Sequence, residues 1–383
     1  MKRFLALVMA LVMTFAILPG CNVVTTTPTG GAAASDAASS ADVAAPTTSG
    51  DETTQPAQAL EGASIVLRMS HGDNDISMLK NTWNCYARVF KKSVELYSGG
   101  EMTVDIYPND QLGSTTSCLE QCSQGTLDIA LSASVGALSG WVPNVSLFDI
   151  PYLINDIDAC NIVCEGEVME ALSTELQDAA NMRLLTMIQT DFRNLDSWDA
   201  PITSVEDMNG LKMRVQELDP HVAMVDAWGA IPSSVAFTEL YSAASTGVID
   251  CYENCNYTLF MNNLYETVNY ITETKHAANV CVCVMNQDSW EELTAEQQDI
   301  INRAADDARR ATSGVVQANN INNLNELEAS GVEIISLTAD ERAAFADVAY
   351  EAGKASVINK IDPEFFALFE NAYAEAEALL GRS

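Results

Sequence analysis

The chain has 383 residues, with 53 Asp and Glu against 19 Lys and Arg, a formal charge of -34 and 48% hydrophobic side chains. So acidic a chain excludes nucleic-acid binding, which needs a basic stripe to displace phosphate counterions. Its apolar share is too high for a disordered acidic chain, and its length suits a soluble, self-repelling protein of about two domains.

Met1-Lys2-Arg3 opens the chain with positive charge, and Phe4 to Leu18 is apolar except for Thr14. That run is about 15 residues, short of the roughly 20 needed by a spanning helix, so it is expected to be a secretory signal. Leu18-Pro19-Gly20-Cys21 resembles the lipobox of bacterial lipoproteins. The resemblance implies that residues 1–21 end in a lipidated Cys21, which holds an exported protein at the extracytoplasmic face of the cell membrane. Residues 22–61 are Thr, Ala, Ser, Pro and Gly with hardly a large apolar side chain. Such a segment cannot offset its chain entropy by burial and is expected to be a flexible tether, with a reach of about 35 Å.

With Cys21 assigned to lipid, nine cysteines remain, an odd number. Cys118/Cys122, Cys160/Cys164 and Cys251/Cys255 are each four apart, which would place a pair on one helix face. Yet the chain has three histidines and neither a C-x-x-C nor an H-x-x-x-H pattern. No metal site and no cofactor is therefore expected, and the thiols read as small buried hydrophobes, with Cys281 and Cys283 alternating on a strand. Free thiols in an exported protein suit a reducing habitat, although one or two disulfides remain compatible with the spacing.

From Ser64 to His71 the sequence has strand character, and Met78–Leu96 has helical periodicity ended by Ser98-Gly99-Gly100. Met102–Tyr107 alternates as a strand, Ser114–Gln124 reads as a helix and Leu127–Leu131 as a third strand, which together imply a parallel α/β sheet. A second such stretch covers about 183–274, with strands near Leu184–Met187, Lys212–Val215 and Val248–Cys251. A helical pattern then runs from Asp288 to Leu327, followed by a strand at Gly331–Ser336 and two helices.

Two α/β lobes behind a lipid anchor and tether point to an exported solute-binding protein that closes a cleft on a small ligand. An enzyme is not expected: G-x-S-x-G, H-E-x-x-H, Walker A and G-x-G-x-x-G patterns are all missing. Enzymatic readings survive only as site types without such a signature, to be told apart by turnover of the ligand.

Several phrases occur in a fixed order: Ser98-Gly-Gly-Glu-Met-Thr-Val-Asp-Ile-Tyr-Pro108 with Gln111-Leu-Gly113, then Gly125-Thr-Leu-Asp-Ile-Ala130 and Phe148-Asp-Ile-Pro-Tyr152. Pro201-Ile-Thr-Ser-Val-Glu-Asp-Met-Asn-Gly-Leu-Lys-Met-Arg-Val215 follows, and then Gly229-Ala-Ile-Pro232, Phe237-Thr-Glu-Leu-Tyr241 and Gly247-Val-Ile-Asp-Cys-Tyr-Glu-Asn254. The set resembles the substrate-binding subunit of tripartite ATP-independent periplasmic (TRAP) transporters. Cys251 stands where that family usually has Gly, and Ala133 where sialic-acid-binding relatives carry an acid, which argues against sialic acid. The resemblance implies a two-lobe periplasmic-binding-protein-like fold with a hinge cleft. Lobe I would comprise 62–191 and 280–322, and lobe II 192–279 and 323–383, with a long helix around Glu292–Asn323 crossing both. It also implies a monomer that delivers a small organic acid to small and large TRAP membrane subunits; a ligand-sensing module of the same fold feeding a signalling receptor is the alternative.

Arg214 is the leading site candidate. It lies on the strand Lys212–Val215 with Met213 and Val215 on the opposite face, and the similar Arg of the family pairs with the ligand carboxylate. A planar guanidinium matches both carboxylate oxygens, where Lys offers a point charge; the bland reading is an ion pair between lobes. Arg193 lies where relatives often have a second ligand Arg, its alternative being a pair with Asp191 or Asp196. By resemblance Asn254 donates an amide hydrogen bond, against a role as helix N-cap, and Phe237 walls the site, against plain core. Ser70, His71 and Asp73 follow the first strand, and Ser132 and Ser134 the third. Ligands of open α/β sheets sit at such carboxyl ends.

Overall fold

The structure, a computed structural model, describes residues 62–382. The expected secretory signal, Cys21 and the tether to residue 61 lie outside these residues. Strand β1 (Ile65–Ser70) pairs in parallel with β2 (Met102–Tyr107) and with β3 (Ile129–Ser132), connected by helices α1 (Thr82–Tyr97) and α2 (Thr115–Ser123). Helix α1 begins four residues later than the periodicity suggests because the Asn81 side chain accepts from the Asn84 amide and caps it there. Helices α3 (Ile157–Val163) and α4 (Glu167–Ala180) lead to β4 (Met182–Ser197). A second parallel set follows: β5 (Lys212–Val215), α5 (Asp219–Ala227), β6 (Ile231–Ser234), α6 (Leu240–Ser245), β7 (Cys251–Asn254) and α7 (Asn256–Met261).

The parallel sheet expected from the βα alternation is therefore only part of the architecture. Strand β4 spans 16 residues and β8 (Tyr270–Asn286) spans 17, and they run antiparallel through the centre of one sheet, ordered β2-β1-β3-β8-β4-β7-β5-β6. Strand β3 pairs with the C-terminal part of β8, and β7 with the C-terminal part of β4, so these two strands tie both parallel sets together. Apolar alternation alone marks little more than Leu184–Met187, because β4 continues through buried Gln189, Thr190, Arg193, Asn194, Asp196 and Ser197. Its register with β8 shifts between Gln189 and Asp191 and again between Arg193 and Leu195. Such bulges re-aim side chains.

After α8 (Gln287–Glu291), a capping box of Thr294 and Gln297 starts α9 (Ala295–Ala329), 35 residues and about 52 Å long. Ile300, Ile301, Ala304, Ala305 and Ala308 pack with α1 and β1, whereas Leu327 packs with Tyr252 and Ile271 in the other half. The long helix thus spans both lobes. Strand β9 (Glu333–Ile335) adds to β8, and α10 (Ala339–Val357) and α11 (Pro363–Leu379) complete the chain. Helix α11 departs from the grouping of 323–383 with 192–279: Phe365, Phe366, Phe369 and Tyr373 pack in the core that holds Phe148, Leu172 and Leu176, and the Tyr373 hydroxyl bonds to Asn155. Those apolar side chains bury where the 62–191 portion offers a matching face.

All nine cysteines of the described residues are buried and unpaired, Cys281 and Cys283 on β8. Only Cys118/Cys122 share one helix; Cys251 and Cys255 lie on β7 and at the α7 cap. Among the described residues no group of three or more His, Cys, Asp or Glu could hold a metal ion, and no helix is long and apolar enough to cross a membrane.

Candidate ligand-binding site

Strand β5 alternates so that Met213 and Val215 enter an apolar core with Trp228 and Phe345, which turns Arg214 to the other face. There its side chain lines a cavity of about 460 Å³. Arg214 is 6% exposed, its Nε donates to the Val235 carbonyl at 3.1 Å, and it makes no ion pair among the described residues. An ion pair between lobes is thus not its role here. Burial and the nearby Arg193 lower its pKa, partly opposed by Glu253, but an Arg remains charged at neutral pH. A buried cation facing a cavity without its counter-ion is costly, and an anion in the cavity would relieve that cost.

Arg193 lines the same cavity from β4 but is already held. Its Nε and Nη2 form a fork on Glu253, with Nη2 2.9 Å from Oε1, and Nη1 reaches Asn279 Oδ1 at 3.4 Å. Its partner is neither Asp191 nor Asp196. Glu253 is fully buried, and although burial alone would raise its pKa, Arg193 and a hydrogen bond from His276 hold it well below the usual carboxylate range. Glu253 Oε2, an acceptor only, lies 3.4 Å from His276 Nε2, which favours the ring proton on Nε2 and leaves Nδ1 to accept from the Thr274 hydroxyl at 2.8 Å. Sequence reasoning quoted Tyr252-Glu253-Asn254 for its Asn and missed the Glu, whose fork with Arg193 needs β7 paired beside β4.

Asn254 lines the cavity and does not cap α7; that position belongs to Cys255. Its Oδ1 accepts from the Cys255 amide at 3.0 Å, leaving both Nδ2 protons without a partner among the described residues. Phe237 is 45% exposed at the start of the short turn Phe237–Glu239 and forms part of the cavity wall, not core. Ser132 and Ser134 also line it, but Ser132 Oγ donates to the Ser134 carbonyl and Ser134 Oγ accepts from the Gly136 amide. Asp73 reaches the cavity with Oδ2 accepting from Asn81 Nδ2 and from the Tyr257 hydroxyl, each at 2.9 Å.

Ser70 and His71 do not join this site. Both are buried away from the cavity, with Ser70 Oγ and both His71 ring nitrogens lacking hydrogen-bond partners among the described residues. Both lie inside the protein at the end of β1, and the chain reaches the cavity from Gly72 onward. Burial pushes His71 down to about 4, so it is neutral at pH 7. Trp83, Asp110, Tyr257 and Asn279 line the cavity without any signal that sequence reasoning used.

Asp191, on a bulge of β4, carries a pH dependence. Burial pushes its carboxyl up to about 7, against the Phe192 amide and Lys275, which favour the anion. Its Oδ1 accepts from the Phe192 amide at 2.8 Å, while Oδ2 is buried without a hydrogen-bond partner among the described residues. The folded value lies above the unfolded one of about 3.9, so folding takes up a proton. The associated stability is fully present below about pH 4 and is lost as pH rises through 7. The urea stability of wild type relative to Asp191→Asn is therefore expected to fall between pH 5 and pH 8; a difference that stays flat contradicts this assignment.

Two α/β lobes sharing crossing strands, with an unpaired buried Arg in a cavity reached from both, define a solute-binding protein. Residues 76–359 match the family model for bacterial extracellular solute-binding proteins, family 7, and the chain belongs to that family. It is 30% identical over 265 residues to the C4-dicarboxylate-binding periplasmic protein DctP of Rhodobacter capsulatus, covering 68% of this chain and 78% of that one. A solute-binding protein of Roseobacter denitrificans is 27% identical over 305 residues, covering 80% and 91%. The crystal structure of a TRAP periplasmic solute-binding protein from that organism with bound L-galactonate superimposes with a TM-score of 0.71 at 25% identity, covering 81% of this chain and 99% of that one. One from Desulfovibrio salexigens with bound orotic acid gives 0.75 at 25% identity, covering 81% and 99%. The protein is a TRAP-type solute-binding protein of the two-lobed periplasmic-binding fold.

Proposed function

We propose that the protein is exported, anchored through a lipid on Cys21, and captures a small organic carboxylate with Arg214 for delivery to the small and large membrane subunits of a TRAP transporter. The observation that carries this reading is a guanidinium nine-tenths buried at a cavity wall, with no carboxylate partner among the described residues. Asn254 offers its free amide protons beside it, and Phe237 supplies an apolar wall. Arg193, committed to Glu253, contributes its remaining Nη1 edge. Galactonate and orotic acid, bound in the relatives' structures, are acids that an Arg fork can hold. Closure would come from movement of the lobes about the crossing strands β4 and β8.

The test is a thermal-shift screen of small organic acids against the purified protein. A ligand at 100-fold its dissociation constant adds about 2.7 kcal/mol of stability, and a hit lost in Arg214→Ala supports the reading. A screen in which no acid stabilises the protein contradicts it. For the anchor, Cys21→Ala is expected to move the protein from the membrane fraction to the soluble extracytoplasmic fraction. Unchanged membrane retention of that variant would sink the lipid attachment.

A further inference from the structure

The charges that face the cavity limit which carboxylates it can hold, an inference that rests on the carboxylate-binding reading above and narrows it. Among the described residues, four charged ones line the cavity: Asp73, Asp110, Arg193 and Arg214. The charge of Arg193 is cancelled by the buried Glu253 fork. Among the described residues Arg214 is left as the single uncompensated cation of the cavity, sufficient for one carboxylate.

The two acids are built into position. Asn109 and Asp110 are consecutive non-glycine residues in the left-handed region, with φ of 56° and 52°, a conformation that costs energy unless the surroundings hold it. The Asn109 amide donates to the Asp73 carbonyl at 2.9 Å and the Asp110 amide to the His71 carbonyl at 3.3 Å, which ties this turn to the loop after β1. A Cβ on Gly72 would lie 3.0 Å from Asp110 Oδ1, so the glycine leaves room for that carboxylate to close on the loop. Asp73 is fixed through Oδ2 by Asn81 and Tyr257, and its Oδ1 makes no hydrogen bond among the described residues. Elsewhere on the wall, the hydroxyls of Thr115, Thr116, Thr238 and Thr258 are likewise without hydrogen bonds among the described residues.

We propose that the cavity selects hydroxylated monocarboxylates against dicarboxylates of the same length: one carboxylate on Arg214, and an uncharged body whose hydroxyls meet Asp73 Oδ1 and the free threonine hydroxyls. A second carboxylate in this cavity finds no uncompensated cation and faces two fixed acids, a repulsive element of the kind that builds specificity. Removing the ligand's hydroxyls leaves Asp73 Oδ1 and the half-buried Thr115 and Thr258 hydroxyls without the partners that the ligand would supply, which lowers affinity for plain fatty acids of equal length.

Calorimetric titration of the full chain with two matched sets, threonate with tartrate and succinate, and gluconate with glucarate, adipate and hexanoate, tests this. In the set that fits the cavity, the hydroxylated monoacid is expected to bind at least tenfold more tightly than its diacids and than hexanoate. Asp110→Asn is expected to narrow the gap to the diacid at least threefold by removing one repelling charge. A diacid that binds as tightly as its monoacid, or a gap unmoved by Asp110→Asn, overturns the selectivity while leaving the carboxylate site standing, provided that binding is lost in Arg214→Ala. Absence of binding by every acid, or binding that survives Arg214→Ala, brings down the carboxylate reading and this inference with it.

Discussion

Arg214→Ala is expected to lower ligand affinity at least a hundredfold. The guanidinium is fixed by its Nε bond to the Val235 carbonyl, and the flanking Met213 and Val215 lock the strand into the core. Its free edge is therefore preorganised, and little entropy is lost when it meets a carboxylate. Hydrogen bonds to charged groups contribute roughly 1.5 to 3 kcal/mol each, and the variant loses two of them while leaving the ligand anion desolvated. Arg214→Lys keeps the charge but not the fork, and is expected to recover little. Folding stability is expected to change far less than affinity, because Arg214 makes no ion pair among the described residues. Titration of wild type and both variants beside their urea midpoints checks this, and affinity within about threefold of wild type in Arg214→Ala would refute the clamp, given the size of charged hydrogen bonds.

Glu253→Ala is expected to produce the largest loss of stability. It leaves Arg193, 4% exposed, without its counter-charge between β4 and β7, and removing one partner of a buried pair costs about 3 to 5 kcal/mol. Replacing both partners with apolar residues, as in Arg193→Met with Glu253→Leu, is expected to restore much of that loss, since the penalty comes from the orphaned charge and not from absence of the pair. The pH dependence has a definite sign. The folded pKa of Glu253 is depressed, so the pair's contribution is present above the unfolded value of about 4.3 and is lost as pH falls below it toward the folded one. Urea midpoints at pH 7 should separate wild type, Glu253→Ala and the double variant. Equal midpoints for the two mutants would show that the orphaned charge is not what destabilises the single variant.

The strand Lys212–Val215, and with it the direction of Arg214, was legible in the sequence because period-two alternation places Met213 and Val215 on one face and Arg214 on the other. Strand character marked β1 and the helical period marked the long α9, while the same local rule marked β2 and marked Cys281 and Cys283 as strand residues. It did not reveal the rest of β4. A strand whose buried side chains include Gln189, Thr190, Arg193 and Asp196 has no apolar period to read, and Arg193 finds its partners in chain segments far away in sequence. Glu253 illustrates this: its fork with Arg193 joins residues 60 apart, and exists only because β7 pairs beside β4. The removal of Ser70 and His71 from the site, the arrival of Asp110 and Tyr257, and the docking of α11 on the 62–191 portion have the same origin. Local patterning depends on neighbours along the chain and is written in the sequence; which distant charges neutralise one another, and which are left facing a cavity, depends on strand order and register, and the tertiary structure alone decides that.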